Sequence, residues 1–381
     1  MKIVADENIP LVPQFFASIG EIQTYPGRGI TPEHVRDADI LLVRSITQVN
    51  RQLLEGSRVR FVGTTTIGLD HVDTEYLNEC GIAYSNAPGC NASAVVEYVV
   101  GTLSVLADEL GFELESKSVG IIGRGAIGSK LEKALTSLGM KVLSNDPPKE
   151  NEGEEGLYPL EEVLQCDVIS LHVPLVEEGE YQTHHLMNHQ VLSGLRGDQI
   201  LINSSRGDVI DEAALKQRLQ EENPPTVVLD VFNGEPVVDT ELADLCHFVT
   251  PHIAGYTLDG KVAGTEMVYK SFCRYLGLPE RHKLGQFLPE PPLKKLAFSS
   301  GADPFWALHT AIRTCYDVRH DDSNLRRTLR LPEAERGKAF DELRKGYRVR
   351  RGFEQVKVVL KGGKVELLNK LSAVGFNIQS K

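Results

Sequence analysis

The residues that decide the fold are 118–128, which read Ser-Val-Gly-Ile-Ile-Gly-Arg-Gly-Ala-Ile-Gly. Ser118 to Ile122 is a short apolar run, and glycines follow it at positions 123, 125 and 128. Ser129 to Leu138 then carries apolar side chains at helical spacing. This order predicts a buried strand, a tight turn and a helix, which together open a βαβ unit.

The three glycines have separate physical roles in such a unit. Gly123 allows the tight turn, Gly125 lets the backbone approach a pyrophosphate, and Gly128 lets the helix pack closely on the strand. The N-terminus of the helix then faces the anion. The pattern predicts a dinucleotide site whose contacts come from Gly123, Gly125, Ala126, Ile127 and Gly128.

An acidic residue downstream predicts which dinucleotide is bound. A second strand, Lys141 to Leu143, ends near Asp146, which lies 18 residues after Gly128. A carboxylate at this position accepts hydrogen bonds from an adenosine ribose diol and repels a 2′-phosphate. The sequence thus favours NAD over NADP, although the nearby Lys149 works against that preference.

Composition limits the class of protein. At 381 residues with 41% hydrophobic content, the chain is long enough for two or three domains. Its six cysteines include no Cys-x-x-Cys pair, which disfavours disulfides and predicts a reducing cytoplasm. The N-terminus is acidic and the apolar segment 94–107 is interrupted by Glu97, so neither export nor membrane insertion is expected. No metal site is predicted, because the histidine group His184, His185 and His189 would need well-placed acids.

Charge is divided unevenly along the chain. The net charge is −22 over residues 1–280 and +10 over residues 281–381, which together give −12 for the whole chain. Prolines at 279, 289, 291 and 292 predict that a separate C-terminal domain begins near this junction. That domain has no nucleic-acid-binding motif and the whole chain is acidic. Docking onto an acidic partner subunit, or attraction of an anionic substrate, therefore explains the basic charge better than nucleic acid does.

The other apolar segments alternate between strand-like and helix-like patterns. Short strands are predicted at residues 2–5, 40–43, 61–64 and 82–85, and a second series at 118–122, 141–143, 167–172, 199–203, 226–230 and 248–250. Alternation of this kind predicts an α/β fold with two parallel sheets. In the C-terminal domain, helix-like segments at 304–315 and 333–347 and a strand-like segment at 355–360 predict an α+β fold.

Three side chains downstream of the glycines fit the oxidation of a hydroxyl group by hydride transfer. His252 has the side chain best suited to take the hydroxyl proton, and Glu235 can hydrogen-bond its other ring nitrogen and favour the imidazolium that forms. Arg206 can grip a substrate carboxylate and polarise the oxygen that becomes the carbonyl. Each follows a strand-like segment, so the three are predicted to meet at the carboxyl ends of a parallel sheet.

Five motifs carry a resemblance to a known family. They are Gly68-Leu-Asp-His-Val-Asp73, the glycine segment, Ile202-Asn-Ser-Ser-Arg206-Gly207, Asp230-Val-Phe-Asn-Gly-Glu235-Pro236 and Thr250-Pro-His252-Ile-Ala-Gly255. Over roughly residues 40 to 275, the chain resembles the D-2-hydroxyacid dehydrogenases. The resemblance implies two Rossmann-like, doubly wound domains: a substrate domain of residues 1–93 and 257–280, split around an inserted NAD-binding domain of residues 94–256. It also implies a dimerisation domain of residues 281–381, and hence a homodimer.

The resemblance implies further contacts at the site. Ser45, Thr66 and Tyr256 would bind the substrate, while Asp230 and Gly255 would lie beside the cofactor. The chain departs from the family at Val173, where a threonine often contacts the cofactor. Any contact at that position must come from backbone or apolar packing.

Residues 252–261 and the basic C-terminal domain resemble a branch of the family that acts on a phosphorylated four-carbon hydroxy acid. Which residues bind the phosphate is left open. Arg44 beside Ser45 is one candidate. A second is the group Arg348, Arg350 and Arg351 of a partner subunit, although a solvated face or an interface is the more ordinary role for it.

Two other functions are compatible with these motifs. The protein could oxidise another 2-hydroxy acid such as 3-phosphoglycerate, because the shared motifs do not distinguish between substrates by their distal group. It could also be a non-catalytic corepressor or scaffold that senses NAD. The intact set of Arg206, Glu235 and His252 argues against this second alternative.

Overall fold

A computed structural model describes residues 1–361 and 365–380, and the chain divides into two compact units. The first unit contains residues Met1–Ala92 and Tyr256–Glu290. The second contains Ser93–Gly255 and the chain from Pro291 onward. A separate domain was predicted for residues 281–381. The substrate-binding, NAD-binding and dimerisation roles of the three predicted segments stay predictions.

The first unit is built on a five-stranded sheet in which every strand pairing is parallel, in the order β2-β1-β3-β4-β5. Its strands are β1 (Lys2–Asp6), β2 (Glu21–Tyr25), β3 (Ile40–Val43), β4 (Phe61–Thr64) and β5 (Ala83–Ser85). Its helices are α1 (Val12–Phe16), α2 (Pro32–Val35), α3 (Arg51–Leu54), α4 (Thr74–Glu79) and, later in the chain, α12 (Leu258–Leu276). Helix α12 lies so close to the sheet that a Cβ atom on Gly63 would come within 2.3 Å of Val268 Cγ1.

The second unit begins with helix α5 (Ala92–Leu110) and contains a six-stranded parallel sheet in the order β11-β10-β9-β8-β6-β7. Its strands are β6 (Ser118–Ile122), β7 (Lys141–Asn145), β8 (Val168–Leu171), β9 (Ile200–Asn203), β10 (Thr226–Leu229) and β11 (Phe248–Val249). The helices between them are α6 (Gly128–Ser137), α7 (Pro147–Asn151), α8 (Leu160–Val163), α9 (His189–Ser193), α10 (Glu212–Leu219) and α11 (Thr240–Leu245). The predicted α/β fold with two parallel sheets is confirmed.

The C-terminal region adds a small three-stranded sheet and four helices to the second unit. The strands are β12 (Lys295–Phe298), β13 (Lys357–Leu360) and β14 (Asn377–Ser380). The helices are α13 (Pro304–Cys315), α14 (Val318–Leu329), α15 (Glu333–Lys345) and α16 (Val365–Ala373). Helices and strands were both predicted here. Because the three strands pair in parallel, α/β describes this region better than α+β.

Helix α14 covers the edge of the six-stranded sheet. The Asp322 carboxylate accepts a hydrogen bond from the Val249 amide of β11 at 2.8 Å. Arg326 donates to the carbonyl oxygens of Ala243 and Cys246 at 2.8 and 2.9 Å. An edge strand that is covered in this way no longer offers its free amides for pairing with another chain. The C-terminal region is therefore packed onto the sheet rather than tethered to it.

All six cysteines are free thiols. In the part of the chain that the structure describes, no helix is both long and apolar enough to cross a membrane. Those residues also contain no group of three or more His, Cys, Asp or Glu side chains able to hold a metal ion.

Candidate active site

The glycine turn leaves open space where a pyrophosphate would lie. Gly123 has a φ of +95°, and a Cβ atom there would stand 2.7 Å from the His172 carbonyl. A Cβ atom on Gly128 would stand 2.0 Å from the Gly123 oxygen. A side chain at position 128 would therefore clash with the backbone of the turn. A Cβ atom on Gly125 would meet nothing within 4 Å. Ile127, the N-cap of α6, makes no side-chain hydrogen bond to the first turn, and a helix N-terminus of this kind favours an anion.

Asp146 lies directly beside the turn. One carboxylate oxygen accepts a hydrogen bond from the Arg124 amide at 2.8 Å, and the other accepts from the Lys149 amide at 3.3 Å as the N-cap of α7. The Arg124 side chain pairs with Glu132 and Glu154. Asp146 is thus fixed next to Gly125, where the sequence predicted the ribose diol.

Glu235 and His252 form a hydrogen-bonded pair. Glu235 Oε2 lies 2.7 Å from His252 Nδ1, and Oε1 accepts a hydrogen bond from the Phe232 amide at 3.0 Å. Burial works to raise the pKa of Glu235, but the charge and hydrogen bond of His252 outweigh it and hold that pKa below its ordinary value. Because an ionised carboxylate only accepts, Nδ1 carries the proton and Nε2 keeps its lone pair. The ring, with 32% of its side chain exposed, can accept a proton at Nε2.

A buried aspartate holds the backbone that carries His252. His252 has a φ of +54°, a left-handed conformation that costs energy for a residue with a Cβ atom. One oxygen of Asp230 accepts from the Thr250 hydroxyl at 2.6 Å and the Ile253 amide at 2.8 Å, and the other accepts from the Ala254 amide at 2.9 Å. Burial raises the pKa of Asp230 to about 6, so the carboxylate is mostly ionised at neutral pH. Its contact with NAD stays a prediction.

Arg206 lies on the loop next to the one that carries Glu235. It follows β9, while Glu235 and His252 follow β10 and β11, the next two strands of the sheet. A Cβ atom on Gly207 would stand 2.1 Å from the Phe232 carbonyl carbon, so only glycine allows the two loops to touch. The three predicted catalytic residues therefore follow three neighbouring strands, at the same edge of one sheet.

Some supporting residues were not predicted from sequence. The Glu212 carboxylate on α10 accepts a hydrogen bond from the Asn233 amide at 2.8 Å, which fixes the loop before Glu235. Tyr98 on α5 is fully buried and its hydroxyl lies 2.8 Å from the Thr250 hydroxyl, which itself donates to Asp230. Glu212 lies shortly after the motif that contains Arg206, whereas Tyr98 lies far from all five motifs and had no sequence signal.

The three residues predicted to bind substrate all belong to the first unit. Ser45 follows β3 and is exposed, while Thr66 follows the adjacent strand β4. The Thr66 hydroxyl lies 2.7 Å from that of Thr64. The Tyr256 ring packs 3.8 Å from the Lys261 ammonium. Gly255 is the last residue of the second unit before Tyr256.

The candidate phosphate-binding arginines differ in their surroundings. Arg44 pairs with buried Asp6, with 2.9 Å between Nε and Oδ2. Arg348 is exposed. Arg350 is buried: it pairs with Glu97 at 3.3 Å and donates to the carbonyl oxygens of Ala94 at 2.7 Å and Ala254 at 3.5 Å. A solvated face is therefore wrong for Arg350, whose contacts are internal to the second unit.

The buried pair predicts a stability effect. Arg350→Met removes the buried partner of Glu97 and the hydrogen bonds to the Ala94 and Ala254 carbonyls, so the free energy of unfolding should fall by about 3 kcal/mol. Arg348→Met removes the same charge from an exposed position and should leave stability nearly unchanged. Thermal unfolding of the two variants compares these effects. Equal midpoints would contradict the structural role of Arg350.

Two family models match the chain. Residues 98–254 match the NAD binding domain of the D-isomer specific 2-hydroxyacid dehydrogenases, and residues 287–375 match a domain of unknown function. The erythronate-4-phosphate dehydrogenase of Hahella chejuensis is 66% identical over 381 residues, with both chains fully covered. The chain belongs to the erythronate-4-phosphate dehydrogenase family. The enzyme of the same name from Marinobacter nauticus is 51% identical over 383 residues, again with full coverage of both chains.

Solved structures place this family member among related dehydrogenases. The D-lactate dehydrogenase of Aquifex aeolicus, in complex with NAD and lactic acid, is 25% identical, with a TM-score of 0.61, 73% of this chain covered and 96% of that one. The NAD-bound 3-phosphoglycerate dehydrogenase of Entamoeba histolytica is also 25% identical, with a TM-score of 0.63 and 76% and 99% coverage. The predicted family, the NAD cofactor and the oxidoreductase class are confirmed.

Proposed function

We propose that this protein oxidises the C2 hydroxyl of 4-phospho-D-erythronate with NAD, which gives (R)-3-hydroxy-2-oxo-4-phosphooxybutanoate in the biosynthesis of pyridoxal phosphate. The observation that carries the chemistry is the 2.7 Å contact between Glu235 and His252 at the carboxyl edge of the dinucleotide-type sheet. The substrate assignment is supported by full-length relatives that carry the name of this activity.

The proton of the C2 hydroxyl passes to His252 Nε2. Glu235 fixes the tautomer that leaves Nε2 free and stabilises the imidazolium as the proton arrives. The Arg206 guanidinium binds the substrate carboxylate and polarises the C2 oxygen as it becomes a carbonyl. Asp230 holds the His252 loop in its left-handed conformation throughout the reaction.

The residues of the second unit fit a bound dinucleotide. Gly125 leaves open space at the N-terminus of α6 that supports a pyrophosphate there, and Asp146 would accept hydrogen bonds from the ribose diol. When bound, NAD accepts the hydride that leaves C2 of the substrate. On this proposal, Gly123, Ala126, Ile127 and Gly128 complete the turn around the phosphates. Ser45, Thr66 and Tyr256 bind the hydroxy acid.

The direct test is NADH formation from purified protein, NAD and 4-phospho-D-erythronate, with 3-phosphoglycerate and lactate in parallel. Selective turnover of 4-phospho-D-erythronate is expected. A keto-acid acceptor is added in a second series so that NADH retained by the protein is still detected as turnover. Preference for 3-phosphoglycerate would replace the substrate assignment, and no turnover with any acid would favour an NAD-binding regulator.

Cofactor choice gives a second prediction. Asp146→Asn keeps the N-cap of α7, because asparagine caps helices as well as aspartate does, but it removes the negative charge. The ratio of kcat/KM with NADP to that with NAD should rise roughly tenfold, equivalent to ~1.4 kcal/mol of relieved repulsion. The measurement is steady-state kinetics with both cofactors. An unchanged ratio would show that Asp146 does not select the cofactor.

We further propose a homodimer formed through the basic C-terminal region. On α13, Phe305 and Trp306 are 46% and 55% exposed, unusual for large apolar side chains. A second copy would bury them and bring positive charge against an acidic chain. Trp306→Glu should therefore weaken the dimer, as measured by sedimentation equilibrium. A monomeric wild type, or a dimer that Trp306→Glu leaves equally tight, would contradict this assignment.

A further inference from the structure

Helix α15 of the C-terminal region packs against the turn that follows Glu235. A Cβ atom on Gly337 would lie 3.4 Å from Pro236 Cγ and 3.6 Å from Val237 Cγ2, ordinary van der Waals distances. Phe340, three residues further along α15, is 1% exposed and belongs to the hydrophobic core of the six-stranded sheet. One face of α15 therefore covers the loop that carries the catalytic carboxylate.

Arg344 lies on this same face of α15. It is two helical turns beyond Gly337, and its guanidinium carbon lies 5.9 Å from the centroid of the Phe340 ring. Its Nε atom is inaccessible to solvent. Burial works to raise the pKa of Glu235, and the positive charge of Arg344 joins His252 in lowering it. A cation from the C-terminal region thus acts on the carboxylate that orients His252.

The other charged groups near this loop include four acids and two cations. The acids are Asp230 beneath the His252 loop, Glu212 at the start of α10, and Asp208 and Asp239 near Glu212. The cations are Arg206 on the adjoining loop and Lys216, which pairs with Asp239 at 2.7 Å. Burial raises the pKa of Glu212 to about 7, and the neighbouring acids, Glu235 among them, add to that effect. Negative charge in this cluster disfavours the ionised form of Glu235. The positive charge of Arg344 favours that form.

We propose that Arg344 is a positioning residue for the reaction: it stabilises the anionic form of Glu235 and disfavours a charged His252 before the substrate arrives. The inference rests on the proposed function, because it concerns the same proton transfer. It gives the C-terminal region a role in the chemistry that is separate from subunit association. Arg344 lies within residues 287–375, outside the segment that matches the NAD-binding domain.

The test is the pH dependence of kcat/KM for 4-phospho-D-erythronate. In Arg344→Met, the lost positive charge makes the Glu235–His252 pair take up a proton more readily. The acidic limb of the profile should therefore move to higher pH, by roughly one unit. Arg344→Lys keeps the charge and should restore the wild-type profile. A purely structural role for Arg344 would lower activity at every pH without moving the limb.

Two further variants keep the test decisive. Lys338→Met removes one positive charge from the same helix, but its side chain is 83% exposed, and its profile should match the wild type. Arg344→Gln replaces the methionine variant if that one does not fold, and it should move the acidic limb to higher pH in the same way. A wild-type protein without activity would contradict the proposed function. An active wild type whose profile coincides with those of both neutral Arg344 variants would overturn only the role of Arg344.

Discussion

Replacing His252 by asparagine is expected to lower kcat for 4-phospho-D-erythronate oxidation by about 10³-fold, because no other group takes over as general base. Asparagine is the better replacement than alanine, since it tolerates the φ of +54° that this position requires. Loss of activity then reports the missing base and not a strained backbone. The measurement is steady-state NADH formation with both substrates saturating.

The control for this variant is cofactor binding. NAD should raise the thermal unfolding midpoint of His252→Asn as much as that of the wild type, because the glycine turn and Asp146 are unchanged. A variant that binds NAD and keeps a rate within about tenfold of the wild type would contradict the role of His252 as base.

Glu235→Gln is expected to lower kcat by about 10²-fold, because the amide oxygen still accepts the hydrogen bond from Nδ1 but no longer carries charge. The imidazolium is then less stabilised, so His252 takes up a proton less readily. The acidic limb of kcat/KM should therefore move to lower pH, the direction opposite to that expected for Arg344→Met.

The opposite signs make the two variants a matched pair. Both change the charge near His252 by one unit, one by removing an anion and the other by removing a cation. Shifts in the same direction would mean that the limb reports a different group. A Glu235→Gln variant with unaltered kcat would show that the 2.7 Å contact has no part in catalysis.

The sequence predicted those strands that are short, apolar and buried. Residues 118–122, 40–43 and 61–64 are strands β6, β3 and β4 with the predicted bounds. Strand β2 was missed because Glu21–Tyr25 lies at an edge of its sheet and carries no fully buried residue, so no apolar pattern marks it. Helix α14 was missed because its twelve residues are mostly charged or polar, with Val318, Asp321 and Leu325 as its buried positions.

The positions of the candidate catalytic residues were predictable because each follows a strand and lies in a local motif. Arg206, Glu235 and His252 follow β9, β10 and β11, and parallel pairing alone places such residues at one edge. Arg344 had no comparable signal. In the sequence it is one basic residue on a charged helix, and only the packing of α15 brings it to Glu235.

The burial of Arg350 was unpredictable for a related reason. The sequence Arg348-Val-Arg350-Arg351 looks uniformly basic, yet Arg348 is exposed while Arg350 pairs with Glu97. Its partner lies on α5, which the sequence marked only as an apolar segment interrupted by an acid. An acid within an apolar helix indicates that a buried cation pairs with it. The sequence did not indicate that this cation is Arg350.

In the proposed reaction, hydride leaves C2 of 4-phospho-D-erythronate while His252 takes the proton from the C2 oxygen. The most direct measurement uses substrate deuterated at C2, stoichiometric protein and NAD, an acid quench, and mass spectrometry of the nicotinamide product. We predict reduced cofactor that carries one deuterium from wild-type protein, and almost none formed by His252→Asn in the same time. Reduced cofactor without deuterium, or no reduced cofactor from the wild type, would contradict this mechanism.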